Sequence, residues 1–175
     1  AYYNPQYVFV CFEPQRMVFN QLCGNLAING IQNVHTINCG LGESEYFIDI
    51  QLPDYANEEN IGAFSLDEEV HKHDDYLCKT TGNTERITVR MLDSFNINDI
   101  RLIKIDVEGM ELDVLKGGLE TIKRNNYPPI LFEAWQHKEW FLPRRKELYT
   151  FLEDLGYEIT CTGEDNYAIH KGGSK

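Results

Sequence analysis

Leu102-Ile103-Lys104-Ile105-Asp106-Val107-Glu108-Gly109 is the stretch that decides the fold. An apolar strand carries a charge on one face, ends in Asp106 and Glu108, and gives way to a glycine. Met110 to Leu119 follows, and Leu112, Leu115, Leu119 and Ile122 recur at helical spacing on one face. A strand that turns directly into a helix is half of a strand-helix-strand unit. In open α/β sheets of such units, ligands sit in the crevice beyond the carboxyl ends of the parallel strands. Asp106 and Glu108 are therefore site candidates. The plain alternative is that an acid here only starts the helix, at the favourable end of its dipole; that alternative is preferred for Glu108. The Gly117-Gly118 pair is expected to weaken or kink the helix midway, since each glycine costs about 1 kcal/mol against alanine.

Upstream, Tyr7 to Phe12 is a continuous apolar run, as expected of a strand buried on both faces. Glu13-Pro14 leads from it into a helix with Phe19, Leu22, Cys23 and Leu26 on one face, which Asn29-Gly30 closes. Val34 to Cys39 is the next strand, with Gly40-Leu41-Gly42 as its turn. Tyr46 to Leu52 alternates loosely and Arg86 to Met91 more clearly, so both are predicted strands. Between them, Pro53 to Thr84 is mostly polar with scattered apolar residues at Ile61, Phe64, Leu66, Val70 and Leu77. Loops of that length inside a compact domain are uncommon and usually functional. The stretch, about residues 53–84, is expected to be an insertion beside the active site.

Downstream of the helix predicted over Glu111–Arg124, Pro128-Pro129 precedes a strand from Ile130 to Glu133. Arg144 to Leu155 is a predicted helix with Phe151, Leu152 and Leu155 facing inward. Tyr157–Thr162 and Tyr167–His170 are expected to close the domain as an antiparallel pair. The organisation predicted is one domain over residues 1–171, followed by a flexible tail at 172–175.

The chain of 175 residues is long enough to bury a core. Its formal net charge of -12 opposes phosphate backbones and anionic lipid alike, so neither nucleic acid nor a membrane is expected as a partner. No apolar run approaches the roughly 20 residues of a membrane span, and no basic-then-apolar leader opens the chain. Cys11, Cys23, Cys39, Cys78 and Cys161 are odd in number, irregularly spaced and free of any CxxC pair. That usage fits a reducing, cytoplasmic compartment.

The signature LIKIDVEGMELDVLKGG closely resembles that of the FkbM family of methyltransferases. Val8-Phe9-Val10-Cys11-Phe12-Glu13-Pro14, Gly62-Ala63-Phe64-Ser65-Leu66, Arg90-Met91-Leu92-Asp93 and Ile130-Leu131-Phe132-Glu133 support the resemblance, in the family's order, over about Tyr7 to Ile169. The resemblance implies an α/β fold, a Rossmann-like and mostly parallel methyltransferase sheet with an antiparallel C-terminal pair. It also implies S-adenosylmethionine as cofactor and a hydroxyl of a small molecule or sugar (a glycan) as methyl acceptor. Methyltransferases of this type place a strand and a glycine-rich turn ahead of the segment that begins at Tyr7. No GxGxG occurs in the chain, and the expectation is N-terminal truncation.

Each site residue carries a chemical reason beside the resemblance. Glu13 ends a strand where a carboxylate can accept hydrogen bonds from a ribose diol, and the FEP pattern of the family implies that role. Asn38, Cys39 and Gly40 end the next strand, small enough for an adenine ring to lie flat, with an amide at Asn38; turn chemistry accounts for them nearly as well. Asp106 is expected beside the sulfonium of the cofactor, where a carboxylate is favourable. Methyl transfer to oxygen also requires removal of the hydroxyl proton, and the candidate bases are Glu133, His137 and Asp106 itself. His137 stands between Trp135 and Trp140, so a packed aromatic role is its alternative. His71-Lys72-His73-Asp74-Asp75 has metal-ligand residue types but no distant partner at a recognisable spacing, and no metal is expected. The rival function is a non-catalytic, degenerate methyltransferase-like binding module or inactive fragment.

Overall fold

The computed structural model describes residues 1, 3–57, 61, 64–73 and 80–172. The elements in chain order are β1 (Phe9–Phe12), α1 (Arg16–Ile28), β2 (Val34–Ile37), β3 (Gly40–Leu41), β4 (Tyr46–Pro53), α2 (Glu68–His73) and β5 (Thr80–Arg90). They continue as β6 (Ile103–Ile105), α3 (Glu111–Gly117), α4 (Leu119–Arg124), β7 (Ile130–Glu133), α5 (Leu142–Asp154), β8 (Tyr157–Thr162) and β9 (Asp165–His170). The class is α/β with mixed sheets.

Among the described residues the strands form three ladders, β1-β2, β3-β5-β4 and β6-β7-β9-β8, rather than the single mostly parallel sheet expected. Three pairings are parallel, β1 with β2, β3 with β5 and β6 with β7. The other three are antiparallel, including the C-terminal pair β8-β9 that the sequence predicts. Among the described residues β1 and β6 do not pair with each other, so both are edge strands.

The core is built on the four-stranded sheet. Ile105, Ile130, Phe132 and Ala168 face Val114, Leu115 and Ile122 of α3 and α4 and Leu148 and Leu152 of α5, all buried. Each such large apolar side chain contributes roughly 1.5–3 kcal/mol by leaving water. Tyr157 belongs to this core as well, because its hydroxyl donates to the Pro128 carbonyl at 2.9 Å and leaves no polar atom stranded. By contrast, the predicted apolar face of α1 is only half-buried: Phe19, Leu22, Cys23 and Leu26 all remain partly accessible, and no α1 residue is buried.

Two boundaries go beyond expectation for identifiable reasons. The helix predicted over Glu111–Arg124, expected to weaken or kink at Gly117-Gly118, is broken there into two, separated at Gly118. A Cβ on Gly117 would stand 1.9 Å from the Gly42 carbonyl oxygen, and one on Gly118 would stand 2.9 Å from Leu92 Cδ2. The glycines thus admit the β3 turn and the Leu92 side chain, and the break is the consequence. Asp93 then serves as the missing cap, accepting from the amides of Glu120 at 3.2 Å and Thr121 at 2.6 Å. The second difference is β5, which begins at Thr80 instead of Arg86 and pairs with β4 as far as Pro53. Residues 80–84 are exposed, so neither face imposes the apolar alternation by which a strand is recognised.

The predicted insertion is therefore partly the end of the β4-β5 hairpin, and its described remainder is tied down. Val70 of α2 is buried in the core, the Arg144 guanidinium pairs with Asp67, and Gln15 donates to the Ile61 carbonyl at 3.0 Å. Gly62, Ala63, Asp74, Asp75, Leu77 and Cys78, and the tail from Gly173, lie outside the described residues. No helix among the described residues is long and apolar enough to cross a membrane.

Candidate active site

Strand geometry assembles the site. Side chains two apart on a strand share a face, so Lys104 and Asp106 lie together, Nζ to Oδ2 at 2.5 Å, while Ile105 between them is buried in the core. The parallel register pairs Ile105 with Phe132, which sets Asp106 next to Glu133 at the carboxyl ends of β6 and β7. β9 runs antiparallel on the far side of β7 and places Asp165 opposite Glu133. Three neighbouring strands thus deliver an acid each to one edge. A cleft of about 270 Å³ opens there, lined by Lys104, Asp106, Glu108, Glu133 and Asp165 over a floor that includes Phe132.

Glu108 belongs to this site, contrary to the capping role read from the sequence. It precedes α3 in left-handed backbone, φ 53°, and its carboxylate points to the other acids. One oxygen from each of Asp106, Glu108 and Glu133 lies within 4.8 Å of the other two. Helix-start chemistry instead belongs to Glu111. It is 2% exposed, and its Oε1 accepts from the amides of Val107 at 3.4 Å and Gly109 at 3.1 Å. Burial pushes its carboxyl up to about 7, against the opposing pull of those amides. Glu133 is also pushed up, by burial first and then by the charges of Asp106, Glu164 and Asp165. A group of converging carboxylates favours a cation among them, and Lys104, itself largely exposed, meets only part of that demand.

Glu13 and Asn38 form a second group at the carboxyl ends of β1 and β2. Asn38 Nδ2 donates to the carbonyls of Glu13 at 2.8 Å and Pro14 at 3.0 Å. Those bonds fix the two strand ends together and occupy the amide donors expected to meet an adenine. Glu13 accepts the Gln15 amide at 2.7 Å, and burial raises its pKa. Cys39 is buried, and a Cβ on Gly40 would stand 2.8 Å from Leu66 Cδ1, so Gly40 is where the insertion packs onto β3. Neither Glu13 nor Asn38 lines the cleft of Asp106 and Glu133. The structure brings the predicted residues together as two groups, one at each parallel pair.

His137 is exposed in the loop after β7 and does not line the cleft. The buried aromatics of that loop are its neighbours: Trp135 packs on Phe141 with centroids 5.0 Å apart, and Lys138 lies over the Trp135 ring at 3.5 Å. The histidines of the insertion are engaged locally. His71 Nε2 is 2.7 Å from the Ser65 carbonyl, and His73 stacks on Trp140 at 4.8 Å. Sequence reasoning missed Asp165 in the cleft. Its signal is only positional, an acid at the start of a final strand antiparallel to β7.

Comparison with known proteins decides what this arrangement belongs to. Residues 2–159 match the Methyltransferase FkbM domain. The chain belongs to the FkbM methyltransferase family. It is 28% identical over 174 residues to Methyltransferase 1 of Beauveria bassiana (strain ARSEF 2860), covering 92% of this chain and 67% of that protein. It is likewise 28% identical over 189 residues to Methyltransferase sdnD of Sordaria araneosa, covering 89% of this chain and 66% of the relative. The crystal structure of Methyltransferase FkbM from Methylobacillus flagellatus KT shares the fold with a TM-score of 0.58 at 18% identity, over 93% of this chain and 36% of that one. This FkbM domain thus spans about two thirds of the curated relatives and about a third of the solved one.

Proposed function

We propose that the chain is the catalytic part of an S-adenosylmethionine-dependent O-methyltransferase whose acceptor is the hydroxyl of a small molecule or glycan. Family membership supports the transferase class; the convergence of Asp106, Glu108 and Glu133 at the carboxyl ends of β6 and β7 is the observation that carries the reading to this chemistry. The fit to the cofactor rests on that donor set. A sulfonium and an α-ammonium are cations, and neighbouring carboxylates favour both. Bound there, the cofactor would supply an electrophilic methyl group.

The remaining work falls to this chain's residues. Asp106 holds the cationic end of the cofactor. Glu133, whose pKa is raised by burial and neighbouring acids, is better matched than an ordinary carboxylate to take the acceptor's hydroxyl proton near neutral pH. It is preferred over His137 because it lines the cleft. Glu13 binds the ribose, with Asn38, Cys39 and Gly40 shaping the adenine end. A cleft of about 270 Å³ is small for a whole ligand, whose pockets usually run to roughly 300–1,000 Å³. Cofactor and acceptor would therefore extend along a Rossmann-like row of strand ends from β6 to β1. The net charge of -12 disfavours nucleic acid or an anionic membrane as partner, and the free thiols of Cys11, Cys23, Cys39 and Cys161 suit a cytoplasmic setting.

Calorimetric titration of S-adenosylmethionine into the full-length parent tests the reading, followed by transfer of labelled methyl to a panel of hydroxylated acceptors. Saturable 1:1 binding that weakens with Asp106→Ala is expected. A parent that binds no cofactor would leave the non-catalytic module as the better account.

A further inference from the structure

Glu108 is a non-glycine residue held at φ 53°, and Gly109 follows at φ 100°. Left-handed backbone costs a residue with a side chain on the order of 1–2 kcal/mol and persists only where its surroundings enforce it. Two sets of contacts do so here. A Cβ on Gly109 would meet Val70 Cγ2 at 3.1 Å and Trp135 Cζ3 at 3.2 Å, so α2 and the loop after β7 clamp the turn from outside. From inside, Glu111 Oε1 accepts the amides on either side of Glu108, those of Val107 and Gly109. A leucine would fill the space of Glu111 without the penalty of burying a carboxylate, so packing does not account for an acid there.

We infer that Glu111 is a positioning residue: it holds the turn between β6 and α3 in the conformation that aims Glu108 into the cleft beside Asp106 and Glu133. The inference rests on the reading of that cleft as the cofactor and acceptor site, and it assigns Glu111 a part in shaping that site without touching the ligand. Glutamine keeps an acceptor oxygen at the same reach, whereas leucine keeps the volume and removes the acceptor.

The test uses the full-length parent with Glu111→Gln and Glu111→Leu, reading amide hydrogen exchange at Val107 and Gly109 and affinity for S-adenosylmethionine. Glu111→Gln is expected to match wild type in both readouts within about threefold. Glu111→Leu is expected to speed exchange at those two amides at least about tenfold and to weaken cofactor binding by a similar factor, while amides in β7 and β9 stay protected. Unchanged exchange at Val107 and Gly109 in the leucine variant overturns the inference, and so does failure of glutamine to rescue. If the leucine variant does not fold, Glu111→Asp, which withdraws the oxygens by one methylene, reads the same two amides with the same expected direction. A wild-type parent that binds no cofactor would defeat the proposed function, yet the amides would still decide whether Glu111 fixes the turn.

Discussion

At the scale of single residues, the site divides into groups whose burial predicts distinct effects. Asp106 is half-exposed and Glu13 more enclosed. If both bind the cofactor, Glu13→Ala and Asp106→Ala should each weaken it by roughly 1–3 kcal/mol in a calorimetric titration, the cost of one charge-assisted hydrogen bond. Glu133→Gln should lower turnover much more than affinity, because it removes the base while Asp106 and Glu108 keep two of the three converging charges; equal losses in both would reassign it. Glu111 makes a separate prediction about stability. Its folded pKa of about 7 lies above the ordinary carboxyl value of 4.5, so the folded chain binds more protons than the unfolded one between those values. Stability therefore falls as pH rises through that window, by on the order of 3 kcal/mol for this group, and the penalty is complete above about pH 7. Glu111→Gln should flatten the slope, so its urea midpoint should gain on wild type between about pH 5 and pH 8; parallel curves would refute the shift. Asp106 and Glu133 were legible because strand ends are where α/β folds put chemistry. Glu108 was not, since an acid just before a helix reads as a cap until its left-handed backbone is seen.

At the scale of elements, the chain pattern was legible wherever apolar residues form a run or recur on one face. The runs at β1, β2, β6 and β7 and the helix around Leu148 and Leu152 lie within two residues of their predicted bounds. It was illegible where both faces meet water, as in the first five residues of β5; the break at Gly118 was legible in the glycine pair, but the distant contacts that enforce it were not. The same contrast predicts two glycine substitutions with opposite signs. Gly24 lies inside α1, and a Cβ added there would have nothing within 4 Å, so Gly24→Ala should stabilise by about 0.5–1 kcal/mol through helix propensity alone. Gly117 lies inside α3, yet its Cβ would meet the Gly42 carbonyl oxygen at 1.9 Å, and propensity is overruled. Gly117→Ala should force the β3 turn away from α3 and destabilise by about 1–3 kcal/mol, as overpacking does. Urea denaturation of both variants beside wild type settles the signs, and a neutral Gly117→Ala would mean that the turn yields freely.

At the scale of the molecule, the open edges of β1 and β6 dominate. β6 ends one ladder and β1 borders another, and no strand among the described residues lies hydrogen-bonded between them. Apolar side chains beside both edges are exposed: Val8 at 67% and Leu102 at 53%. An edge with unpaired amides and carbonyls next to apolar surface is a template for pairing with another chain. Charges that ordinarily guard an edge are sparse here. Lys104 is the one cation within β6, and its ammonium is directed to Asp106. Residues 1–175 expressed alone should therefore show concentration-dependent association in sedimentation and a broad urea transition. Leu102→Lys, which adds a charge between Arg101 and Lys104 without disturbing the core-facing Ile103 and Ile105, should shift the population towards monomer. A soluble monomer of the unmodified residues with one sharp, cooperative transition would mean that the fold tolerates both edges, and would give the non-catalytic reading its physical basis.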